Sequence, residues 1–79
     1  MKIKCFGIAK EIVNASEFAI TPEDKISKVS QLRAHLLQNF PEFEKYKSFM
    51  IAVNESYATE DLIINPEDEI AIIPPVSGG

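Results

Sequence analysis

The sequence closes on Pro74-Pro75-Val76-Ser77-Gly78-Gly79, and the group there that can do chemistry is a carboxylate on a tip without side chains. Two of the three glycines in the chain are spent at this tip. Lacking Cβ atoms, Gly78 and Gly79 can thread a narrow channel and take torsions closed to other residues. Pro74 and Pro75 fix two φ angles near polyproline values and offer no N–H to a sheet, so a strand ending at Ile73 cannot run through them. Residues 74–79 reach about 20 Å when extended, at roughly 3.3 Å per residue. A carboxylate is a poor electrophile, but ATP can convert it to an acyl adenylate that a sulfur or nitrogen nucleophile can attack. The competing reading is an inert chain end. A stiff stem directly after a buried strand argues against it, because an idle tail needs no rigid base.

The other reactive side chains point to little chemistry. Cys5 is the only cysteine, so neither an internal disulfide nor a thiolate metal cluster can form within one chain. It alternates in phase with Ile3, which makes it a small buried hydrophobe rather than an exposed thiolate. His35 is the single histidine, placed at the solvent edge of a helix, and no carboxylate spacing suggests a metal site. No bound cofactor is expected. A net charge of −4 gives no electrostatic reason to bind nucleic acid. The longest apolar run is a handful of residues, so no membrane span is expected. The opening MKIKCFG has no signal-peptide pattern, which makes the cytoplasm the expected compartment.

With 79 residues there is room for one core. MKIKCF alternates as a half-buried strand, with Ile3 and Cys5 inward and Lys2, Lys4 and Phe6 outward. Residues 8–13 fit a helical turn closed by Asn14. Glu17 to Ile20 reads as a second strand, and Thr21 to Ser27 as a loop. From Lys28, Val29, Leu32, Leu36 and Phe40 recur at helical spacing, with Ser27 as the expected N-cap and no capping box, since Ser30 stands three residues on. Pro41 ends this helix, and 42–48 are expected to be irregular. Ser48 to Val53 is a third strand with Ile51 and Val53 inward. Asn54-Glu55 is a turn before a short piece around Tyr57, and Thr59 to Pro66 is a connection that packs Leu62. Asn65 to Asp68 fits a type I turn. Glu69 to Ile73 is the last strand, with Ile70 and Ile72 on one face and Ala71 and Ile73 on the other. This order is α+β: a mixed sheet of about five strands on one main helix. The expected division is a domain over 1–73 and an extended, flexible tail over 74–79.

The sequence resembles the small, sulfur-carrying subunits of molybdopterin synthase, the MoaD-like proteins. DEIAIIPPVSGG matches their C-terminus, and PPVSGG is the specific part. CFGIAKEIV, QLRAHLLQ and IAVNES extend the likeness over nearly the whole chain. The resemblance implies a ubiquitin-like β-grasp fold. It also implies that a ubiquitin-activating-type enzyme uses ATP to adenylate the terminal glycine, Gly79. Sulfur from a persulfide then replaces the adenylate and leaves a thiocarboxylate. The tail, Pro74 to Gly78, carries it into the large subunit, where sulfur passes to a cyclic pterin precursor. Two sulfurs per product require two charged carriers, and the implied complex is a heterotetramer. Gly79 is then the acyl group of a co-substrate, with the catalytic side chains supplied by partners.

The resemblance also implies an apolar partner-binding patch on the sheet, matched here by Phe6, Tyr57 and Ile73. Glu69 and Asp68 nearby suit basic partners. Three positions, in two places, depart from the family pattern. Pro66-Glu67-Asp68-Glu69 replaces Asp-Gly-Asp-Glu, and Lys10 replaces an arginine whose bidentate contacts lysine cannot make. A thiamin-type sulfur carrier and a ubiquitin-like protein modifier remain alternatives. So does a β-grasp interaction module with an inert tail.

Overall fold

Lys2 and Lys4 alternate with Ile3 and Cys5, and this period of two makes Lys2–Cys5 a strand, β1, with one wet and one dry face. The computed structural model describes residues 1–21, 24–46 and 49–73. After β1, Gly7 takes φ 56°, a left-handed value that a Cβ would oppose. Helix α1, Ile8–Val13, follows and buries Ala9. Asn14 closes it in the left-handed region, its N–H donating to the Lys10 carbonyl at 2.8 Å. Strand β2, Glu17–Ala19, then pairs antiparallel with β1 and sets Phe18 opposite Ile3.

Val29, Leu32 and Leu36 form the buried stripe of α2, Val29–Asn39. Its start departs from expectation: the N-cap is Lys28, and the Ser27 hydroxyl donates rather than accepts. Gln31 is the reason. Its Oε1 accepts from the Ser27 N–H at 2.7 Å, the Ser27 hydroxyl at 3.0 Å and the Lys28 N–H at 3.0 Å. This is the glutamine half of a capping box, set one residue later than Ser27 and Ser30 suggest. Lysine has no acceptor to complete the box. The free N–H groups of Val29 and Ser30 instead donate to the Leu62 and Glu60 carbonyls, each at 3.0 Å.

Phe40, before Pro41, leaves helical torsions and ends α2. The irregular stretch expected over 42–48 is corrected for its described part, because Pro41–Tyr46 forms a 3₁₀ helix. Proline is tolerated at a helix start, where its missing N–H has no partner to lose. Phe43 is driven inside, its ring centroid 6.2 Å from that of Phe40 and 5.0 Å from that of Phe49. Ser48, expected at the head of the next strand, lies outside the described residues.

Strands β3, Met50–Val53, and β4, Ser56–Tyr57, form a hairpin around Asn54-Glu55. Both turn residues have positive φ, 52° and 70°, the signature of a type I′ turn. In the connection that follows, the expectation that Leu62 packs is corrected: Leu62 is 41% exposed and Ile64 is 3% exposed. A bridge between Lys28 and Ile63 and the Ile64 N–H bond to the Ser27 carbonyl, 2.8 Å, set the phase that turns Ile64 inward.

Asn65 to Asp68 then turns, with the Asp68 N–H donating to the Asn65 carbonyl at 3.0 Å. The Asp68 carboxylate accepts from the Asn65 N–H at 2.8 Å and from the Asn54 amide at 3.0 Å. This joins the turn to the hairpin. Strand β5, Glu69–Ile73, runs parallel to β1 and antiparallel to β3 in a five-stranded sheet of order β2-β1-β5-β3-β4. Ile3, Cys5, Ile51, Ile70 and Ile72 share one core with the α2 stripe, Phe43 and Phe49. Each fully buried isoleucine contributes about 1.5–3 kcal/mol.

Two outcomes follow from the turns. Left-handed φ costs a residue with a Cβ about 1 kcal/mol that glycine does not incur, so Glu55→Gly should raise Tm by about 3–6 °C in a thermal melt, and Glu55→Ala should not. The Asn65 N–H and, second, the Asn54 amide hold the Asp68 carboxyl below the usual carboxylate range. A depressed carboxyl contributes stability that is complete above its unfolded pKa and lost as pH falls through the folded one. Asp68→Asn should therefore melt below the wild type at neutral pH, and the two should converge below about pH 4. A constant gap in paired melts across that range would contradict the assignment.

Candidate docking face at the end of the central strand

Ile73 is the last described residue, and it ends the strand that lies in the middle of the sheet. Pro74, Pro75, Val76, Ser77, Gly78 and Gly79, where the sequence reading puts the chemistry, lie outside the described residues. What the structure supplies is the surface around the point from which they continue.

That surface is built by register. Because Ile70 and Ile72 point into the core, Ala71 and Ile73 face outward. Cys5 pairs with Ile72, and Phe6, the residue after β1, lines the same groove as Ile73. On the other side Met50 pairs with Ile73. One step down the strands, Lys4, Ala71, Ala52 and Tyr57 form a continuous cross-strand row. The two alanines make a shallow floor between larger side chains. The result is one open groove of about 430 Å³ whose lining includes Phe6, Tyr57, Ile73, Ala52 and Ala71. The structure thus brings together Phe6 and Ile73, read as outward from alternation, and Tyr57, added by the resemblance. Phe6 is 52% and Tyr57 65% exposed.

The groove is charged at its border. Lys4 Nζ lies 3.2 Å from Glu69 Oε2, both side chains being about half exposed. Glu55, on the type I′ turn, lines the same groove. An exposed pair of this kind is worth little in stability, about 0–1 kcal/mol, but it fixes where charge sits on the face. Sequence reasoning missed Met50, 43% exposed beside Ile73, and Glu55. The signal for Met50 was present: with Ile51 and Val53 inward, position 50 must be outward.

The remaining reactive groups do not line this groove. Cys5 is buried, and that burial pushes its thiol up to about 11, so it stays protonated near neutral pH. His35 is half-buried on α2, its carbonyl accepting from the Asn39 amide at 2.8 Å. Lys10 is exposed and borders a second shallow groove with Phe6 and Glu17. Among the described residues no three His, Cys, Asp or Glu side chains gather as a metal site, and no helix is long and apolar enough to cross a membrane. The titratable groups lining the apolar groove are Lys4, Glu55, Tyr57 and Glu69, and Lys4 and Glu69 are paired with each other. Such a face is suited to contact rather than to proton transfer.

Comparison with known proteins agrees with this architecture. The ThiS family model matches residues 3–79. A molybdopterin synthase sulfur carrier subunit from Arabidopsis thaliana is 32% identical over 80 residues, spanning 100% of this chain and 82% of the relative. Among solved structures, a putative molybdopterin converting factor subunit 1 from Pyrococcus furiosus superposes with TM-score 0.77 at 24% identity, covering 95% of each chain. A protein–protein complex of subunits 1 and 2 of molybdopterin-converting factor from Helicobacter pylori contains a match with TM-score 0.66 at 24% identity, covering 99% of this chain and 96% of that one. Matched from Ile3 to its last residue by the family model and end to end by a sulfur carrier subunit, this β-grasp chain belongs to the ThiS family.

Proposed function

We propose that this protein is a sulfur carrier for molybdopterin synthesis, acting in the cytoplasm as the small subunit of the synthase. The observation that carries the reading is the apolar groove of Phe6, Tyr57 and Ile73 at the end of the central strand, in a chain whose sequence continues into PPVSGG. A contiguous exposed apolar patch on a small acidic domain is the usual mark of an interface. The likeness to sulfur carrier subunits supports the cargo, and the two-subunit complex from Helicobacter pylori supports a large-subunit partner.

In this reading Gly79 carries the acyl group. A carboxylate oxygen attacks the α-phosphorus of ATP on a partner activating enzyme, releasing pyrophosphate and forming the acyl adenylate. Sulfur from a donor persulfide displaces AMP, and a thiol of the donor system then cleaves the resulting acyl disulfide, leaving the thiocarboxylate and a disulfide on the donor side. Sulfur is larger and more polarizable than oxygen, so this terminus is a soft nucleophile at neutral pH. The sheet face docks on the large subunit while Pro74 to Gly78 carry the sulfur to the cyclic pterin precursor. The chain binds no cofactor of its own and is a co-substrate rather than an enzyme. Two carriers serve a dimer of large subunits, giving a heterotetramer.

Incubation with an activating enzyme, ATP and a sulfur donor should add the mass of one oxygen-for-sulfur exchange at the C-terminus, as read by intact mass spectrometry. Deleting Gly79 should abolish the gain and leave Tm within about 1 °C, because surface changes away from structural features are nearly neutral. Absence of the gain, where a known carrier shows it, would sink the reading. Rescue of a thiamin-deficient strain in place of a molybdopterin-deficient one would reassign the pathway. The groove has its own test: Phe6→Ser should weaken binding to the large subunit about tenfold or more, with the fold intact, as expected for an aromatic anchor in an interface.

A further inference from the structure

We infer that Glu55 is a specificity-determining residue of the docking groove, its carboxylate placed to pair with a lysine or arginine that the large subunit presents beside its apolar contacts. This rests on the docking reading above and adds the chemistry of the partner surface.

Two acids line the groove, and they are not equivalent. Glu69 is compensated by Lys4 at 3.2 Å. Glu55 makes no hydrogen bond or ion pair through its carboxylate among the described residues, so the face carries one uncompensated negative charge. The Val53–Ser56 and Ala52–Tyr57 pairs hold the hairpin on both sides of the turn, which fixes that charge next to Tyr57. The backbone adds a second observation. Glu55 occupies φ 70° at the turn position where glycine fits without a penalty. The turn itself therefore gives no reason for a glutamate.

The floor beside it is alanine and aromatic surface, so a complementary partner offers apolar side chains flanked by a cation. A charge at the border of an interface acts mainly on the rate of encounter and on its salt dependence. This distinguishes Glu55 from Phe6, Tyr57 and Ile73, whose contribution is apolar contact that screening leaves in place.

The test uses the full chain and the large subunit of molybdopterin synthase from the same source, with association and dissociation rates measured at about 0.05 M and about 0.5 M salt. Glu55→Gln keeps the side-chain length and the left-handed backbone and removes the charge. It should slow association about threefold to fivefold at low salt and behave as wild type at high salt. Glu55→Lys should slow it about tenfold or more at low salt. Glu55→Gly should bind like Glu55→Gln while melting above wild type, which separates the charge from the turn. Association of Glu55→Gln and Glu55→Lys at the wild-type rate in low salt would overturn the assignment. If Phe6→Ser still weakens binding in that case, the docking reading survives and only the role of Glu55 falls. If the wild type itself does not bind the large subunit, both fall.

Discussion

The arrangement depends on β5 being held from both sides. Ile70 and Ile72 are the centre of the core, and their neighbours in the ladder are Ile3 and Cys5 of β1 and Val53 and Ile51 of β3. A slip of one residue would turn both isoleucines into water and send Ala71 and Ile73 inward, so the burial of two side chains fixes the register. The register in turn fixes the exit. Ile73 must end the central strand on the outer face, beside Phe6 and Met50, because Ile72 must be inside. The apolar groove is thus a consequence of core packing rather than a separate structure.

A parallel neighbour for β1 demands a long crossover, and the path between β1 and β5 shows how it is held. Helix α2 begins against the connection that later leads to β5. The N–H groups of Val29 and Ser30 have no partner inside the helix and take the carbonyls of Leu62 and Glu60. Arg33 reinforces the junction. It donates to both Glu60 carboxylate oxygens, at 3.2 and 3.0 Å, and to the Phe49 carbonyl at 2.8 Å, with its guanidinium 4.5 Å from the Phe49 ring centroid. One side chain therefore ties the helix, the approach to β3 and the connection toward β5. The turn at Asn65 to Asp68 completes the path by locking onto Asn54.

Regular elements were legible because their periods are set by local geometry. Ile3 with Cys5, Ile70 with Ile72, and Val29 with Leu32 and Leu36 each carry a period that needs no tertiary knowledge. The positive φ of Asn14 and the turn at Asn54 were readable for the same reason. The misses lie where a residue's role depends on a partner far along the chain. Ser27 fails as the N-cap because Gln31 takes its hydroxyl as a donor, while the distant Leu62 and Glu60 carbonyls satisfy the helix start. Leu62 loses its place to Ile64 because an isolated bridge to Lys28 sets the phase of a segment with no period of its own. Phe43 sits among charged neighbours, and its burial follows from the core it joins and the Phe40 and Phe49 rings beside it. In the docking face, alternation found Phe6 and Ile73. The pairing of β3 with β5, which brings in Met50 and Ala52, was not available from spacing. The reading of PPVSGG is of another kind, since it came from motif and resemblance and falls outside the described residues.

The burial of Cys5 acquires a chemical meaning under the sulfur-carrier reading. Cys5 pairs with Ile72, one residue before the end of β5, so its thiol belongs to the same end of the sheet as the exit toward Gly79. An exposed thiolate there would be a competent nucleophile toward an acyl adenylate brought back over the sheet, and the product would be a dead-end thioester. Desolvation removes that risk twice. It withholds access, and it raises the thiol to about 11, which leaves a negligible thiolate fraction at neutral pH. The same inward phase that makes Cys5 a core residue keeps the chain's single thiol out of solvent. For a carrier, a core position is thus the safe place for cysteine, and Lys4, the neighbour of Cys5 on the outer face, does not alter this. Lys4 is held by Glu69, and the pleat turns Cys5 away from it.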